Sequence, residues 1–126
     1  CGRFALTSDE SSLCEHFRVT LSTPIKPRFN IAPSQKLLII RLQSETKKHT
    51  SSLVRWGLIP SWAKDQSIGT RLTNARSETA LTKPSFRDSF RRRRCLITAN
   101  GFYEWTTSGK RKQPYYVRLT SNEPVG

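Results

Sequence analysis

Cys95-Leu96-Ile97-Thr98-Ala99-Asn100-Gly101-Phe102-Tyr103-Glu104-Trp105-Thr106-Thr107 is followed, a few residues on, by Pro114-Tyr115-Tyr116-Val117-Arg118-Leu119-Thr120. β-Branched and aromatic residues dominate both runs, and Ser108-Gly109-Lys110-Arg111-Lys112 lies between them. This reads as a β-hairpin with a glycine-bent, strongly cationic tip. On a strand the two-residue period sets Phe102, Glu104 and Thr106 on one face, with Tyr103 and Trp105 on the other. Asn100-Gly101 allows two readings, a type I′ turn or a bulge that kinks one long strand.

Upstream, Lys36–Leu42 (KLLIIRL) reads as a buried strand, and a polar loop follows from Gln43 to Ser52. Leu53–Ile59 (LVRWGLI) is a second strand, stopped by Pro60. Pro24 to Pro33, with three prolines and Asn30, reads as loop. Three short helices are expected. The first opens at Ser8-Asp9-Glu10, with Ser8 as cap, the acids at the positive dipole end, and Leu13 and Phe17 one turn apart. The second covers Asn74 to Thr82, with Asn74 as its cap, and the third covers Pro84 to Arg93, with Phe86 and Phe90 on one face.

The chain has 126 residues, enough for one domain. Hydrophobic residues make up only 35%, yet the 10% aromatic content argues against disorder. Twenty-two Lys and Arg against nine Asp and Glu give a net charge of +13, which fits a polyanionic partner, nucleic acid first. Solubility, or an anionic membrane surface, is the blander account. No stretch approaches a membrane span and no signal-peptide core opens the chain. Cys1, Cys14 and Cys95 are odd in number and lack CxxC spacing, which points to a reducing compartment. His16 and His49 stand far apart with no second ligand nearby, so no metal is expected.

The chain begins at Cys1 and contains no methionine. If an initiator Met has been removed, Cys1 carries a free α-amine on the carbon next to the one that bears its thiol. Such a 1,2-aminothiol condenses with aldehydes, first to a Schiff base and then to a thiazolidine ring. With the α-amine pKa near ~8, roughly a tenth of it is nucleophilic at neutral pH. The alternative is that a sequence boundary merely falls at a cysteine.

Other residues carry two readings each. Glu104 is either a carboxylate desolvated among aromatics, able to act as a general acid, or an edge-strand glutamate in solvent. Asn74 is either a helix cap or a group that orients an amine or a sugar oxygen. Arg76 could hold a phosphate by a bidentate contact. Arg87 and Arg91 to Arg94 suit a helix C-terminus or a phosphate contact. Arg3 puts positive charge beside Cys1. Trp56, Trp62 and Trp105 punctuate the basic stretches, as core filler or as stacking surfaces, and Trp62 is the one expected to be exposed.

Five segments together resemble the SRAP domain family (SOS-response-associated peptidase). They are Cys1-Gly2-Arg3-Phe4, Arg28-Phe29-Asn30-Ile31-Ala32-Pro33, Trp56-Gly57-Leu58-Ile59-Pro60-Ser61-Trp62, Asn74-Ala75-Arg76-Ser77-Glu78-Thr79, and Cys95-Leu96-Ile97 through Gly101-Phe102-Tyr103-Glu104-Trp105. The resemblance spans the whole chain. It implies an α+β fold around a barrel-like, mixed or antiparallel β core with flanking short helices. It also implies action on abasic sites in single-stranded DNA, in which Cys1 forms a thiazolidine with the opened deoxyribose and shields the lesion as a DNA–protein crosslink. In that scheme Asn74 positions the amine or the sugar, and Glu104 shuttles the proton that opens the ring. Arg3 and Arg76 grip flanking phosphates, while Asn30 and Trp62 shape the groove.

The family pattern also carries a catalytic histidine in a later segment, which neither His16 nor His49 matches. Residues 1–126 are therefore expected to be the N-terminal portion of a larger single domain. The resemblance implies no cofactor, metal or membrane partner, a monomer, and a cytoplasmic place in bacteria or a nuclear one in eukaryotes. Two other classes stay open. A thiol peptidase that removes its own first residue needs a base near Cys1, and no Cys–His pairing is evident in the sequence. A non-covalent single-strand-binding module would use the basic groove alone.

Overall fold

The computed structural model describes residues 2–108 and 111–126, without the side chain of Ser108. Cys1 and the Gly109-Lys110 part of the expected hairpin tip lie outside the described residues.

Among the described residues, seven strands form two antiparallel sheets. The first has the order β2-β1-β6-β7, from Arg28–Ile31, Arg3–Leu6, Gly101–Ser108 and Arg111–Arg118. The second has the order β4-β3-β5, from His49–Arg55, Lys36–Leu42 and Leu96–Ile97. Three short helices flank them: α1 Glu10–Phe17, α2 Ser77–Ala80 and α3 Arg87–Arg92. The α+β class and the antiparallel β core are as expected, and among the described residues the sheets do not close into a barrel.

The apolar run in β3 explains the core. Leu37, Leu38, Ile39 and Ile40 are all buried, because β3 is the central strand and both its faces are covered. They meet Phe4, Leu6 and Ile31 from the first sheet, with Leu13 of α1 and Trp56. Past Ile40 the strand emerges, and Leu42 is exposed.

Several boundaries differ from expectation, each for a physical reason. β4 runs His49–Arg55, not Leu53–Ile59, because it pairs with β3 along its whole length, from Leu42↔His49 to Lys36↔Arg55. It ends before Pro60, because Gly57 turns the chain at φ +125 against Gly69. A Cβ on Gly57 would lie 2.3 Å from the Gly69 carbonyl oxygen. Gly57→Ala is therefore expected to lower stability by about 3 kcal/mol or more, read from a denaturant midpoint. An unchanged midpoint would contradict this packing.

The proline-rich segment read as loop contains β2, where Ile31 pairs with Phe4 and Arg28 with Leu6. The pairing partner lies more than twenty residues back, and the prolines flank an edge strand instead of interrupting it. β7 begins at Arg111, not Pro114, and Pro114 is tolerated within it because β7 is also an edge. Cys95–Thr107 is not one strand. β5 pairs with β3 and β6 with β1, so the chain changes sheets between Ile97 and Gly101. Gly101 has no positive φ, which rules out the type I′ turn.

The helix caps also move. Asp9, not Ser8, caps α1: its Oδ1 accepts from the Ser12 amide at 2.8 Å and the Ser11 hydroxyl at 2.7 Å. Those bonds, the Ser12 amide first, hold the Asp9 carboxyl down from 3.8 to about 2. A carboxyl lowered on folding contributes stability that is full above its unfolded value and lost as pH falls through the folded one. Asp9→Ala is thus expected to show a smaller fall in thermal midpoint than the parent between about pH 4 and pH 2. Parallel acid limbs would contradict it. α2 is a single turn in which Arg76, not Asn74, occupies the cap position and makes no side-chain cap bond. α3 starts at Arg87.

Candidate functional site

The site grows from the register of β1 on β6. Arg3 pairs with Tyr103, Phe4 with Phe102 and Ala5 with Gly101. Because the pair is antiparallel, each step toward the start of β1 is a step toward the end of β6. Gly2 and Glu104 are therefore the next residues along the ladder. On the other flank, Arg3 donates from Nη1 to Oδ1 of Asn30 at 2.8 Å. The Tyr103 hydroxyl donates to the Phe29 carbonyl at 2.9 Å, which ties β6 to β2 across the same opening. Arg3 and Asn30, far apart in sequence, thus meet where β1 begins, while Glu104 lies one step further along β6 on the face opposite Arg3.

The segment that carries Asn74 is anchored to the core. Phe4 packs on Trp56 with ring centroids 5.4 Å apart. The Trp56 indole N–H donates to the Thr73 carbonyl at 2.8 Å, and the Leu58 amide donates to the Leu72 carbonyl at 2.9 Å. Those bonds hold the segment that presents Asn74, which is exposed. Of the three tryptophans, Trp56 is buried and acts here as a structural strut, while Trp62 and Trp105 are exposed. Trp62, 56% exposed, sits on a tight turn closed by the Ala63 amide on the Pro60 carbonyl. Arg76 is exposed at the start of α2. These last two are carried by other segments than β1 and β6.

Neither sequence reading of Glu104 describes its setting. Its side chain is exposed, so aromatics do not bury it, and β6 is an interior strand of its sheet, so it is not at an edge. Its ladder partner on β7 is Tyr115.

Two contributors were not singled out from sequence. Asn100 sits at the sheet change, where its Oδ1 accepts from the amides of Thr7 at 2.7 Å and Ser8 at 2.9 Å. Its Nδ2 donates to the Ser8 hydroxyl at 2.7 Å, so one side chain locks the exit of β1 to the entry of β6. Tyr103 packs against Tyr116 at 5.0 Å and Trp105 at 6.3 Å, an aromatic row beside Arg3. Its alternation with Glu104 was legible, but its bond to Phe29 was not. Among the described residues no group of three His, Cys, Asp or Glu could hold a metal ion. No described helix is long and apolar enough to cross a membrane.

The sequence profile of the family described as SOS response associated peptidase (SRAP) matches residues 1–126. The chain belongs to the SRAP family. Its relatives include a Bacillus subtilis protein named abasic site processing protein YoqW, 41% identical over 126 residues, covering 97% of this chain and 55% of that protein. A chicken protein named abasic site processing protein HMCES is 34% identical over 108 residues, covering 78% of this chain and 32% of its own length. A crystal structure of a protein from Bacteroides thetaiotaomicron superposes with a TM-score of 0.84 at 21% identity, over 98% of this chain and 56% of the other, and so shares the fold. This SRAP chain spans about half the length of the bacterial relatives it matches.

Proposed function

We propose that this SRAP chain captures abasic sites in single-stranded DNA covalently, through Cys1 as a processed N-terminal residue. The observation that carries the reading is the register of β1 on β6, which sets Glu104 one step beyond Tyr103, the partner of Arg3, with Arg3 bonded to Asn30. Arg3 opens the strand that Cys1 precedes by two residues in sequence. The abasic sugar is a cyclic hemiacetal. It exposes its aldehyde only when a proton moves from the C1′ hydroxyl to the ring oxygen, and Glu104 can relay that proton.

The Cys1 amine then adds to the aldehyde carbon, and loss of one water gives a Schiff base. The thiol adds across the C=N bond: its sulfur joins the carbon and its proton passes to nitrogen, closing the thiazolidine. A thiol alone would leave a labile hemithioacetal. An amine alone would leave an imine prone to β-elimination and strand cleavage. Asn74 orients the amine or the sugar, Arg3 and Arg76 hold the flanking phosphates, and Asn30 and Trp62 shape the groove. The relatives named for abasic site processing support the same substrate.

The test mixes the protein with single-stranded oligonucleotides that differ only in one abasic site, heats them in denaturant, and resolves them by gel. A retarded band with the abasic strand alone is the expected result. No band, or equal bands with both strands, would overturn the proposal.

A further inference from the structure

The end of α1 and the β3–β4 turn enclose an open pocket of about 550 Å³, lined by none of Arg3, Asn30 and Glu104. Arg18, Lys47, Lys48 and His49 line it beside Cys14 and Thr20, and no carboxylate is among the described residues that do so. Two of these cations occupy left-handed backbone, Arg18 at φ 49 and Lys47 at φ 55. Glycine or asparagine takes that conformation at lower steric cost, so long cationic side chains are not what the turns themselves require.

Compensation of the helix dipole does not account for the cluster either. The closing carbonyls of α1 are already answered: Glu15 by the Arg18 amide at 3.3 Å, Cys14 by the Val19 amide at 3.1 Å, and Phe17 by the His49 ring at 2.8 Å. Because a carbonyl only accepts, His49 must donate from Nδ1. The turn is held by the Gln43 amide on the Lys48 carbonyl and the Lys47 amide on the Gln43 carbonyl, each at 2.9 Å, and by the Thr46 hydroxyl, which donates to Gln43 Oε1 at 3.1 Å and accepts from the Lys48 amide at 3.4 Å, so no lysine side chain is needed to close it. Among the described residues, Arg18, Lys47 and Lys48 enter no ion pair. Arg18, Lys47 and Lys48 therefore line one preformed hollow with no carboxylate among its described lining to neutralise them.

We propose that this pocket binds one phosphate group, either free or as a phosphodiester of a nucleic-acid backbone. The guanidinium supplies a planar two-point contact and the ammonium groups supply point charge. The site needs nothing from Cys1, so it stands whether or not covalent capture does.

The test compares the parent with Lys47→Asn/Lys48→Gln and with Arg18→Gly. Asparagine and glycine accept the left-handed backbone, so the turns are kept. A charge-matched control, Lys26→Gln/Lys83→Gln, removes two exposed lysines elsewhere. One arm measures the rise in thermal midpoint on adding inorganic phosphate against chloride at equal ionic strength. The other measures affinity for an undamaged single-stranded oligonucleotide across a salt series. A phosphate-induced rise in parent and control that both pocket variants lose supports the site with free phosphate as its source. A log K against log salt slope shallower by about 0.7 in the lysine pair, the value for one phosphate lost, and unchanged in the control supports it with the nucleic-acid backbone as source. If the pocket variants match the control in both arms, the proposal is wrong.

Discussion

Replacing Cys1 with serine is expected to remove the heat-stable adduct with abasic single-stranded DNA altogether. Serine keeps the α-amine, so the Schiff base can still form, but a hydroxyl closes the ring far less favourably than sulfur. The variant should give an adduct only when borohydride is present to reduce the imine, while the parent needs no reductant. Retaining a Met ahead of Cys1 should have the same effect as the serine, because it moves the amine three bonds further from the sulfur. The remaining cysteines are poor substitutes. Neither Cys14 nor Cys95 bears the α-amine, and burial pushes the Cys95 thiol up, against the opposing charge of Arg41. Undiminished crosslinking in Cys1→Ser without reductant would leave a cationic binding scaffold and no aminothiol chemistry.

Glu104→Gln is the second large effect. Glutamine keeps the size and polarity of the side chain but cannot release a proton. Crosslinking is expected to slow by about 100-fold or more, the usual contribution of a general acid or base, while affinity for the same strand holds. Single-turnover rates at saturating protein separate the two quantities. Glu104 is exposed and belongs to a strand paired on both sides, so the substitution should also leave the thermal midpoint in place. Matched losses of rate, affinity and midpoint would make Glu104 a structural residue. Its place along the β1–β6 ladder, not desolvation, suits Glu104 to that role.

The sequence made some of this legible and hid the rest for identifiable reasons. Leu37 to Ile40 read as a buried strand because four successive apolar residues need cover on both faces, and β3 has it. The β6–β7 hairpin was readable because its signals are local, a glycine-bearing turn between aromatic strands. β2 was not, since nothing between Pro24 and Pro33 hints that Ile31 will pair with Phe4. Asn100 looked like a turn residue, while its hydrogen-bond partners Thr7 and Ser8 lie more than ninety positions away. α2 and α3 shrank because neither has a side-chain cap to extend its first turn.

The residues of the site could be named one by one from their motifs. Their placement could not, because Arg3 touches Asn30 only through the pairing of β1 with β2, and only the pairing of β1 with β6 sets Glu104 beside the start of β1. For Trp56 the sequence left core filler and stacking surface open; it is core, and its indole N–H holds the segment that presents Asn74.

The intact mass of the mature protein, measured alone and after mixing with an abasic oligonucleotide, tests the central claim most directly. Covalent capture by the aminothiol predicts a polypeptide that begins at Cys1, and a product heavier by the oligonucleotide less one water. A mature chain extended or blocked ahead of Cys1, or one that begins there and gains no mass, would contradict it.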